Sequence, residues 1–340
     1  PGGLKKRGLF FFLIFVQTKF TMINEVRNTV LSIANKNNFG YITPNDFNLY
    51  ARQAQLDIFE DYFYQYNAWN VKQNVRQSGT GYADIVKSLE EVLDSFSATR
   101  ALLYRGSSLY DLPENYYLIN KINYYNTVIT TGSTTNFGTN LLEDNTATFI
   151  TDNVQVGNLV SNDETGLSAF VTAVVSETEL NLSNDLFNLL GIDYTIVSTN
   201  PSTIREIERV SQNKIFYLNS SPLTYPTAMY PAYVLGGADG TAGSSNTFGN
   251  TVTVYPDSIG TQGMVITQYI RYPRVPNWTY VQVGINQEPS FDESAADYQD
   301  FELPESDAPN LINKILQYAG VSIRDNTVAA FGKAEETEAN

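Results

Sequence analysis

The sequence predicts a mixed α+β protein. It should have an N-terminal helical bundle, an antiparallel β-rich body with an inserted small β-barrel or sandwich module, and a C-terminal helix with a tail. Three observations predict this. Apolar residues recur at three- and four-residue steps over about seventy-five residues from Met22. Short β-prone runs bounded by turn residues then fill most of 101–290. The helical period returns at Leu311, Ile312, Ile315, Leu316 and Ala319, ahead of a polar tail.

The first helix carries Ile23, Val26, Val30, Ile33 and Ala34 and stops at the capping sequence Asn37-Asn38-Phe39-Gly40. Thr43-Pro44-Asn45-Asp46 gives the second helix an N-cap, a proline at its first position and an acid in its first turn. That helix is long, with Phe47, Ala51, Ala54, Ile58, Phe59, Tyr62 and Tyr66 in step. A third, from near Gly81, sets Tyr82, Ile85, Val86, Leu89, Val92, Leu93 and Phe96 on one face. Three such helices in succession make a small bundle or an arm.

Strands follow Arg100. Tyr116, Leu118, Ile119, Ile122, Tyr124 and Tyr125 belong to β-prone runs, and the polar stretch Thr130–Thr139 reads as a linker. Five short runs then come about every ten residues: Ala147–Ile150, Gln155–Val160, Ala169–Val175, Glu179–Leu182 and Tyr194–Val197. That spacing suits a compact antiparallel module at 146–198, inserted in a body made of 101–145 and 199–290. The helical part is placed at 22–100, and the C-terminal helix and acidic tail at 291–340. The Gly/Ser-rich run Gly236–Gly249 has no Lys, so it reads as a mobile hairpin tip and not a phosphate-binding loop.

Residues 1–21 are a different text. Lys5-Lys6-Arg7 precede the apolar run Gly8–Val16, which is too short to span a bilayer. The favoured expectation is that 1–21 is translated upstream sequence or an artefact of cloning, with the natural start at Met22. A signal peptide and an anchoring arm are the alternatives.

The chain of 340 residues has 21 Lys+Arg against 36 Asp+Glu, and neither His nor Cys. The two zeros exclude Ser-His-Asp and Cys-His nucleophiles, imidazole or thiolate zinc sites, haem ligation by His or Cys, and disulfides. Carboxylate-only chemistry survives. Residues 1–121 carry 13 basic and 11 acidic side chains, while 122–340 carry 8 and 25. The acidic part repels duplex DNA and anionic lipid surfaces. Asp57 and Asp61 share a helix face with Glu60 nearby, as metal ligands or an acid/base pair could. A helical di-metal site of the carboxylate type also wants His, so a solvent-facing acidic stripe is expected.

Three stretches carry a resemblance. Val156–Asn162, Ser168–Val174, Glu179–Ser183 and Gly191–Tyr194 together resemble a β-module of virion and tail proteins of double-stranded DNA phages. There a Gly-Asp-x-Val-x-Asn turn precedes the Ala-x-Val-x-x-Val strand, and Asn158 here stands where Asp is usual. The series Arg205–Ser220, Pro222–Thr227, Tyr230–Val234, Thr251–Pro256 and Tyr269–Tyr280 is similar to structural proteins of short-tailed phages, crAss-like and related marine phages among them. Phe301-Glu302-Leu303-Pro304, the apolar helix and Ile323-Arg324-Asp325 are similar to the C-terminal end of head-to-tail adaptor proteins.

The resemblance implies a virion structural protein made in the host cytoplasm, a subunit of a homo-oligomeric head-tail connector or adaptor ring. Its partners would be portal and tail proteins and the passing genomic DNA, bound without sequence specificity, with no membrane partner, no cofactor and no catalysis. The assembly interface expected on this reading is Leu311, Ile315, Tyr318, Arg324, Asp325 and Phe331. The inserted module is a departure from the adaptor pattern, and it leaves a neighbouring ring or another tail component open. Two other classes remain: a tail-associated or surface binding module gripping glycans through Trp278 and Tyr280, and a carboxylate-based hydrolase.

Overall fold

A computed structural model describes residues 21–34, 42–75, 83–236, 251–282 and 289–322. The chain is of mixed α+β class, with helices and several largely antiparallel sheets. Helices α1 (Met22–Ala34), α2 (Pro44–Val75) and α3 (Ala83–Ser95) come first. Strands β1 (Ser97–Ala101), β2 (Leu103–Gly106), β3 (Leu109–Asp111) and β4 (Tyr116–Tyr125) follow. Next are β5 (Val128–Ser133), β6 (Asn136–Gly138), β7 (Leu141–Glu143), β8 (Leu159–Asn162), β9 (Ser168–Val174), β10 (Glu179–Leu182) and β11 (Asp193–Val197). Then come β12 (Ile204–Glu206), β13 (Glu208–Arg209), α4 (Gln212–Asn219), β14 (Ala232–Leu235), β15 (Thr251–Tyr255) and β16 (Val265–Arg271). The chain ends through β17 (Tyr280–Val281), β18 (Ser290–Phe291) and α5 (Ala308–Ser322). Two compact units divide it, 1–89 with 273–340 and 90–272, the boundary falling inside α3.

In the first unit α5 packs on both α1 and α2. Ile23, Val26 and Val30 of α1, Ala51, Ile58 and Phe59 of α2, and Leu311, Ile315 and Leu316 of α5 are buried, as their spacing predicts. Asp300 caps α1 from a distant part of the chain, accepting the backbone N–H groups of Met22 at 3.0 Å and Ile23 at 2.8 Å. A carboxylate there also suits the positive end of the helix dipole. Two amide side chains one heptad apart on α2 hold the extended segment after Pro273. Asn48 accepts from Trp278 N–H at 2.9 Å and donates to Trp278 C=O at 3.2 Å. Gln55 donates to Arg274 C=O at 2.7 Å and accepts from Glu302 N–H at 3.2 Å.

The body of the second unit is two sheets around one core. Their strand orders are β1-β16-β4-β12 and β13-β14-β15-β3-β2. Ile122, Tyr124 and Val265 from the first meet Tyr110, Tyr233, Val252 and Val254 from the second. Both ends of the first sheet run directly into ends of the second. Only Leu102 separates β1 from β2, and only Ile207 separates β12 from β13, and both residues are buried in that core. At each corner the chain passes straight from one sheet into the other. The sequence reading keeps 97–100 in the helical part, but the strands already begin at Ser97.

Between β4 and β12 the chain leaves the body and returns. Asn126 N–H donates to Thr203 C=O and Ser198 N–H to Thr127 C=O, both at 3.0 Å. The excursion forms a seven-stranded sheet in the order β5-β11-β8-β9-β10-β7-β6. Its outermost strands, β5 and β6, are consecutive in the chain with only Thr134 and Thr135 between them. Seven flat strands would hold their edges about 29 Å apart, whereas three Cα steps reach about 11 Å at most. The sheet therefore curls around its core, which includes Leu142, Phe149, Val171, Leu180, Tyr194 and Ile196.

Two expectations are corrected here. The polar stretch read as a linker, Thr130–Thr139, supplies β5 and β6, since threonines with Ile129 and Phe137 pair well once partners stand on each side. Ala147–Ile150, read as a strand, is a turn that tucks Phe149 into the core. The tip between β14 and β15 lies outside the described residues, though the two strands flanking it pair antiparallel.

Candidate assembly surface

Leu311 and Ile315, expected at an assembly interface, are fully buried within their own unit. They hold α5 to α1 and α2, so they are not available to a neighbour in this fold. Tyr318 is half-buried and donates a hydrogen bond from its hydroxyl to Asp57 Oδ2. Arg324, Asp325 and Phe331 lie outside the described residues.

The acidic cluster of α2 stands over a groove of about 570 Å³ that Asp307 and Lys314 also line. Asp57 and Asp61 are hydrogen-bond acceptors, and Asp57 ties α2 to α5. Asp57 accepts from Tyr318 and, at 3.0 Å, from Gln53, while Asp61 accepts from Gln65 at 2.8 Å. Tyr62 donates in the reverse direction to Asp307, which immediately precedes α5. Burial, then the hydrogen bond and charge of Asp307, push the Tyr62 hydroxyl well above its ordinary range. It therefore stays a neutral donor. The cluster is thus not a plain solvent-facing stripe, and among the described residues no group of three or more Asp and Glu is arranged to hold a metal ion.

Trp278 does not offer a sugar platform. It is 2% exposed, with Arg27 Cζ 3.7 Å from its ring centroid and Tyr280 and Phe291 stacked on it at 5.6 and 5.9 Å. Its indole N–H donates to Asn24 at 3.1 Å. This is a packing cluster whose cation–π contact is shielded from water.

The exposed apolar surface instead concentrates on α4 and the two turns after it. Ile215 anchors the helix against Val210, Ala232 and Val234, so the opposite face points outward. Leu223 is 96% exposed, Tyr230 80%, Tyr217 78% and Phe216 71%, with Met229 beside them in the chain. These side chains stand on a firmly bonded scaffold. Ser220 closes α4, its hydroxyl donating to Tyr217 C=O at 2.7 Å, and Thr224 Oγ1 donates to Leu218 C=O at 3.0 Å. Thr227 and Tyr230 exchange backbone hydrogen bonds at 3.3 and 3.0 Å, fixing the hairpin that carries Met229. Leu223 and Tyr230 also line a groove of about 370 Å³ with Glu206, Glu208, Lys214 and Leu218.

Exposed apolar side chains concentrated in one stretch of chain forfeit the burial they would otherwise gain, and such stretches mark contact surfaces. The sequence offered no sign of it, because Pro222–Tyr230 reads simply as strand ends and turns.

No protein-family model matches the chain, and a search of curated proteins finds no significant match. Among the described residues no helix is long and apolar enough to cross a membrane.

Proposed function

We propose that this protein is a virion structural subunit of a short-tailed phage, working in an oligomeric connector or adaptor ring between portal and tail. The observation that carries the reading is the concentration of exposed apolar side chains, Phe216, Tyr217, Leu223, Met229 and Tyr230, on the hydrogen-bonded backbone of α4 and its turns. A ring subunit needs a preorganised side-chain surface to dock a neighbour, and Tyr and Phe on a fixed backbone supply one at low entropic cost. The acidic charge of 122–340 would let DNA pass along the ring without adhering.

Native mass spectrometry of the full chain, alone and with a portal protein, tests the proposal. A closed oligomer of uniform copy number is the expected result. A chain that stays monomeric in both conditions and binds a glycan column would overturn it, and a strongly basic lumen in the assembled ring would remove the electrostatic part.

A further inference from the structure

We draw no further inference here: the strongest candidate, the groove of about 370 Å³ beside α4 lined by the exposed Leu223 and Tyr230, carries nothing because no observation in the structure shows what covers it.

Discussion

Gly132 in β5 is fixed by the pair it faces. A Cβ there would sit 2.5 Å from the Tyr194 hydroxyl and closer still to Asp144 Oδ2. Tyr194 donates to Asp144 at 2.8 Å in the core of the curled sheet, and Thr146 adds its N–H at 2.9 Å and hydroxyl at 2.7 Å. Gly132→Ala should therefore destabilise the protein by roughly 2 kcal/mol, read as a lower midpoint in urea. Burial works against ionising Asp144, but the bonds from Thr146, Tyr194 and Ser133 outweigh it and hold the carboxyl below its ordinary range. A carboxyl lowered on folding stabilises above its unfolded value and loses that contribution as the pH falls through the folded one. Asp163 is the opposite case. Burial raises it despite bonds from Thr195 and Ser161, so its charge opposes folding near neutrality and acid relieves that cost. Asp144→Asn should lower the melting temperature at pH 7 and flatten the acid limb, while Asp163→Asn should leave the melting temperature unchanged or raise it. Thermal melts across pH 2.5–7 separate the two. None of this was visible in the sequence, where Asp144 is one acid among many. Thr146, two residues on, and Tyr194, fifty residues away, together decide its state.

The element that organises the first unit is α2. Its start was legible, because Thr43 and Pro44 do locally what any helix start needs, and Asp46 N–H does bond to Thr43 Oγ1 at 3.2 Å. Its amides were not, since Asn48 and Gln55 read as ordinary polar residues until the segment after Pro273 lies against them. Gln55 is buried and bonds two backbone groups far apart in sequence. Gln55→Ala strands both, so it should cost about 2 kcal/mol, with amide exchange at Glu302 rising in parallel. The apolar face of α5 was read correctly as a face and assigned to the wrong neighbour. Periodicity shows that Leu311 and Ile315 will be buried but not whether by the same chain or another. Leu311→Ala should accordingly cost about 3 kcal/mol of the subunit's own stability, measurable at concentrations where no oligomer forms. The strands show the same division. β4 and β9 announce themselves through β-branched and aromatic residues, while β5 and β6 look like a linker because Thr, Gly, Ser and Asn also compose turns.

At the scale of the whole molecule, the mixed α+β class followed from periodicity, and the corners at Leu102 and Ile207 did not. Single residues between strands carry no signal that the strands belong to different sheets. Those corners join the two sheets around one core, while the exposed side chains of α4 and its turns have the most to gain from a partner. The acidic excess of 122–340 takes a sharper form in the fold. It is absolute in residues 128–197, which hold no basic side chain, and interrupted at 209–236, which hold no acid. The proposed ring function rests on the exposed side chains of α4 and its turns meeting a partner. The mass of the wild-type assembly measured beside that of Phe216→Ser/Tyr217→Ser tests it most directly. A closed oligomer for the first and a folded monomer for the second is the predicted result, and equal masses for the two would contradict it.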